Sequence, residues 1–178
     1  SVKWATCNIG ASSPTKPGNY YGWGCITPYA DGENVGWPLY FQKLGKTGTD
    51  NWGQDKCGSD DDPLKDFVTA SSGDISGSVW DAAAIELGGK WRLPKQQENK
   101  ELLDNNKCQW DWDPNKGGYT VTSKVDGYQG KSIFIPAAGR RDGTSPIVAN
   151  GNGFYWNSNT AGNGYQYRAN HLNITYSE

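Results

Sequence analysis

Ser78-Val-Trp-Asp-Ala-Ala-Ala-Ile-Glu-Leu-Gly-Gly89 holds the clearest helix signal in the chain, and what flanks it decides the fold class. Ser78 can cap such a helix, and Asp81 places a carboxylate where the free N–H groups of a first turn gather. Val79, Trp80, Ala83, Ala84 and Leu87 fall on one face, and Gly88-Gly89 stops the run. Trp91-Arg-Leu-Pro94 reads as a short extended link, and a second helix follows to about Asn105, with Leu102 and Leu103 as a thin apolar face.

Beyond it the pattern turns to β. Gln109–Asp113, Tyr119–Lys124, Ser132–Pro136, Phe154–Ser158 and Tyr165–Asn170 are short strand candidates, and Asp126-Gly127 is a hairpin signal between the second and third. Before the helices, Val2–Thr6 alternates and reads as a strand entering the core through Trp4. Trp37–Leu44 reads as a second, with Pro38 marking a sheet edge. Asn8–Gly36 is Gly/Pro/Asn-rich backbone pinned by aromatics such as Tyr20, Tyr21 and Trp23. Gly45–Gly77 is a polar excursion with one helical turn expected at Pro63–Phe67. Helices early and strands late predict a single α+β domain over residues 1–178, with two helices packed on short mixed or antiparallel strands and long irregular loops.

The composition narrows the function classes. Hydrophobic residues are only 35%, but 9 Trp, 10 Tyr and 4 Phe supply large apolar surfaces, so the chain is folded rather than disordered. A net charge of -2 without any Lys/Arg run argues against a nucleic-acid partner. No apolar run approaches the ~18–20 residues of a membrane span. Without an initiator Met the chain reads as a mature or excised segment. Cys7, Cys25, Cys57 and Cys108 are too dispersed for a zinc knuckle; an even count in a loop-rich chain suits export and one or two disulfides, whose pairing the spacing leaves open.

Four segments carry a resemblance. Ser1-Val-Lys-Trp-Ala-Thr-Cys-Asn-Ile-Gly10, Gly89-Lys-Trp-Arg-Leu-Pro94, Ser132-Ile-Phe-Ile-Pro-Ala-Ala-Gly-Arg-Arg-Asp-Gly143 and Gly153-Phe-Tyr-Trp-Asn-Ser158 occur in that order. The chain resembles the Fibrobacter succinogenes-type major paralogous domain of surface lipoproteins and fimbrial-tip proteins in gut Bacteroidetes-like bacteria. The resemblance implies a C-type-lectin-like fold, an extracellular or cell-surface location, and a role in adhesion or ligand binding with no catalytic residues. Two departures stand out. Lys95 occupies the position of the usual capping Thr, and the sequence stops before the family's closing carboxy-terminal strand, so that strand is expected either to be replaced or to be supplied by a partner chain adding to the open edge. A second resemblance is to the variable proteins of diversity-generating retroelements, whose altered residues also cluster near the carboxy terminus.

The carboxy-terminal segment is the strongest ligand-binding candidate. From Gly143 to Ser177 the only full charge is Arg168, and asparagines alternate with aromatics. Trp156, Asn157, Asn159, Tyr165, Tyr167, Arg168, Asn170 and His171 combine amphipathic faces with amide donors and acceptors, a chemistry suited to a glycan or a protein receptor. The competing reading puts Trp156 and alternate tyrosines in the core. Asp111, Asp113 and Asn115 resemble the start of a calcium loop, but the Gly comes one place late and no Glu follows at the twelfth position. Arg92, Arg140, Arg141 and Asp142 read as structural, with Arg92 bridging to Asp81 or Glu98. His171 is the only histidine and no Gly-x-Ser-x-Gly elbow exists, so a glycan-active hydrolase built on Asp111 and Asp113 is the weakest alternative.

Overall fold

The structure, a computed structural model, describes residues 2–44, 73–147, 151–161 and 169–176. The expected turn at Pro63–Phe67 lies outside them. Among the described residues there are three helices, α1 (Trp37–Lys43), α2 (Ala82–Leu87) and α3 (Gln96–Leu102), followed by seven strands. Strands β1 (Cys108–Asp113), β2 (Gly118–Ser123) and β3 (Ser132–Pro136) form one antiparallel meander in sequence order. Two antiparallel pairs complete the set: β4 (Arg140–Asp142) with β5 (Ser145–Ile147), and β6 (Asn152–Thr160) with β7 (Ala169–Thr175). The α+β class therefore holds, and no helix among the described residues is long and apolar enough to cross a membrane.

Trp37–Leu44 is helical rather than extended. Pro38 lies in the first turn, where a missing N–H costs nothing, and Gly36 enters as an extended N-cap. The Tyr40 N–H then donates to Gly36 O and the Leu44 N–H to Tyr40 O, closing the turns. Val2–Thr6 forms no strand among the described residues, unlike the expectation; Trp4 nevertheless packs against the core as expected.

Helix α2 starts later than Ser78. Residues 78–81 form a turn in which the Ser78 hydroxyl donates to Ile75 O, and Asp81 is the cap. Its Oδ1 accepts from the N–H groups of Ala83 and Ala84, and its Oδ2 from those of Gly77 and Leu93. Asp81 is 0% exposed. One carboxylate thus ties a turn, a helix start and the Trp-Arg-Leu-Pro link to a single point. Because the helix begins at Ala82, its buried face is Ala82 and Ala83, while Val79 and Leu87 remain exposed.

Leu102, Val121, Ile135, Leu172 and Ile174 form the main core, with Trp4, Trp110, Tyr119 and Tyr155 packed around them. Each such aliphatic contributes about 1.5–3 kcal/mol on burial. Trp112 extends the aromatic packing, stacked on Tyr176 and edge-on to Tyr119. A second, smaller cluster joins Trp23 and Ile75 with Trp80 and Leu93.

The irregular amino-terminal layer is held by the polar tips of its rings, as its aromatic content suggests. Tyr20 Oη donates to Ala138 O at 2.6 Å, Trp23 Nε1 to Asn157 O at 2.8 Å, and Tyr40 Oη to Trp23 O at 2.7 Å. Tyr155 likewise donates to Pro136 O, and burial pushes its phenol up to about 12, so it stays a neutral donor.

Cys7, Cys25 and Cys108 are free thiols, and Cys57 lies outside the described residues. The expected disulfides do not form among the described cysteines. Cys25 is instead a core residue, 1% exposed, at the foot of the amino-terminal layer.

Candidate ligand-binding surface

Alternation along β6 and its register with β7 build the surface. Trp156 pairs with His171 and Phe154 with Asn173, so these four side chains share one face of the ribbon. The Phe154 and His171 rings lie 5.7 Å apart, and those of Trp156 and His171 lie 5.9 Å apart and perpendicular. Arg140, entering from β4, holds its guanidinium carbon 5.4 Å from the Phe154 ring centre, a cation–π contact. Its own carboxylate partner, Asp142, is 4.0 Å away on an exposed flank, too long and too solvated to neutralise it.

The array is exposed yet anchored. Trp156 is 38% exposed while its indole N–H donates to Tyr21 O at 2.8 Å, which fixes the ring plane. A register shift between Trp156 and Thr160 bends the ribbon just past the array. Its rear face is core: Gly153, Asn157 and Ser158 are buried, and Leu172 and Ile174 face inward from β7.

The candidate residues therefore separate. Trp156 and His171 come together on the outer face. Asn157 does not; at 2% exposure it lies inside, its Oδ1 accepting from the Asn159 N–H. Asn159 uses its own Oδ1 to accept from the Gln96 N–H, and Asn170 donates its amide to Thr160 O, so both amides are engaged in the scaffold. Tyr165, Tyr167 and Arg168 lie outside the described residues.

Phe154 and Arg140 belong to the array although sequence reasoning assigned Arg140 a structural part. The period-two signal was present: adjacent Arg140 and Arg141 on one short strand point to opposite sides. Arg141 is the structural member, its side chain 3% exposed and donating to Ala30 O and Glu33 O. Arg92 is structural too, gripping Glu98 with both terminal nitrogens at 2.9 and 2.6 Å. That fork, aided by the Lys95 N–H, holds the Glu98 carboxyl below its usual range.

A cavity of about 1190 Å3 lies between the amino-terminal layer and the body, and the array forms part of its wall. Trp91, exposed on the link after α2, and Tyr21 add further aromatic surface. Asn99 of α3 also lines it; at 5% exposure both its amide nitrogen and its amide oxygen are buried without a hydrogen-bond partner. An unsatisfied buried group costs about 1–3 kcal/mol.

Asp111, Asp113 and Asn115 are engaged locally. Gln109 donates to both Asp111 oxygens, and Asp113 caps the β1–β2 turn through the N–H groups of Asn115 and Lys116. Lys116, at 2.7 Å, holds the Asp113 carboxyl below its usual range, opposite to what a general acid needs. Among the described residues no group of three His, Cys, Asp or Glu side chains could hold a metal ion.

Compared with protein-family models, curated proteins and solved structures, the chain matches none.

Proposed function

We propose that this chain is an exported, cell-surface ligand-binding or adhesin module of C-type-lectin-like architecture that recognises a glycan on another surface. The observation that carries the reading is the Phe154–Trp156–His171 array, in which Trp156 and His171 are exposed beside a half-buried Phe154 on a ribbon whose rear face is core, with the exposed Arg140 cation set against it. Flat aromatic faces meet the C–H faces of sugars, and a ring already fixed in orientation loses little entropy on binding. The four segments that resemble the Fibrobacter-type paralogous domain support the surface location and the adhesive role.

Glycan-array and cell-binding assays test this. His171→Ala and Trp156→Ala should each weaken binding by about tenfold or more, with far-UV circular dichroism unchanged. Binding by the wild type that neither variant reduces removes the array as the site.

A further inference from the structure

We infer that the ligand is an acidic oligosaccharide, held by its carboxylates in the cavity that the Trp156 array helps to line; this rests on the glycan-binding reading above. The chain as a whole carries 19 acidic against 17 basic residues, so an unbiased wall would be mixed. The cavity wall is not mixed. Lys3, Lys90, Arg92, Arg140 and Arg141 line it, and Glu98 is its one carboxylate among the described residues.

Glu98 is taken by Arg92, and Arg141 is spent on backbone carbonyls. Lys3 and Lys90 have no ion-pair partner among the described residues, and Arg140 has only the distant Asp142. Among the described residues, three cations thus line one space with no close counter-charge. All three are exposed, and like charges gathered along one concave wall raise the local positive potential and favour an anionic occupant.

The aromatic lining is the second, independent indication. Exposed Trp91 and Trp156 on the same wall supply stacking surface between the charges. The volume exceeds what one monosaccharide fills, so an oligosaccharide is the fitting size.

The test is calorimetric titration with oligogalacturonate, with its methyl ester as the neutral isostere, and with a short poly-glutamate peptide, at low and physiological ionic strength. The expected result is binding of the free acid about tenfold or more tighter than the ester, weakening with salt. Lys90→Gln combined with Arg140→Gln should abolish the preference for acid over ester. Equal binding of acid and ester overturns the inference, as does poly-glutamate binding as tightly as the acid. Failure to bind any acidic oligosaccharide, with Trp156-dependent binding of a neutral glycan retained, overturns it and leaves the adhesin reading standing. Loss of all glycan binding brings down both.

Discussion

The backbone N–H of Gln96, the first residue of α3, donates to the Asn159 side-chain oxygen at 2.8 Å, across a separation of 63 residues. An N-cap side chain serves the second or third N–H of its helix and not the first, so a strand on the far side of the sequence supplies the acceptor for Gln96. Asn159→Ala should therefore cost about 1 kcal/mol in urea denaturation, and Asn159→Asp, which restores an acceptor oxygen at the same place, should recover most of it. If the second substitution recovers nothing, the cap is not what Asn159 contributes.

Asp81 gathers four backbone N–H groups with no exposure to solvent. Asp81→Asn keeps the shape but turns one oxygen into a donor facing other donors. A loss of about 3 kcal/mol or more in the urea midpoint analysis is expected, larger than for any other single acidic residue described. A loss no greater than that of a surface Asp→Asn change would show that the hub carries little.

Glu98 and Asp74 set the acid limb of the stability profile. Burial alone would raise the Asp74 carboxyl, but the Ser76 N–H and Lys95 outweigh it and hold it at about 2. Arg92 lowers Glu98 from its ordinary 4.5. Both folded-state values lie below the unfolded ones, so the stabilisation is complete above about pH 5 and is lost as pH falls through the carboxylate range toward 2. Glu98→Gln should be less stable at neutral pH and show a shallower loss across that window. Parallel profiles for variant and wild type would exclude the pair as a contributor.

Cys25 is 1% exposed, and burial pushes its thiol up to about 12. It should resist iodoacetamide at neutral pH in the folded protein and react once urea unfolds it, as read by peptide mass spectrometry. Rapid labelling under native conditions would mean that the amino-terminal layer opens.

Short-range chemistry was legible before any coordinates. The Gly88 helix stop, the β1–β3 strands and the choice of Glu98 as one of two partners for Arg92 follow from neighbours within a few residues, where capping, alternation and turn preference act. Trp37–Lys43 escaped because an apolar run with an early Pro suits a helix start as well as a sheet edge.

The functional surface divides along the same line. Sequence alone determined that β6 would carry a Trp, a Phe and asparagines, and that the one histidine falls in the same carboxy-terminal stretch, because composition and period two are written residue by residue. Tertiary structure decided which of them reach solvent. Burial of Asn157, the use of Asn159 as a remote cap and the meeting of Arg140 with Phe154 all depend on which face of the ribbon meets the core. That choice is made by long-range packing of Leu172 and Ile174 against α3 and the meander, and no local pattern encodes it.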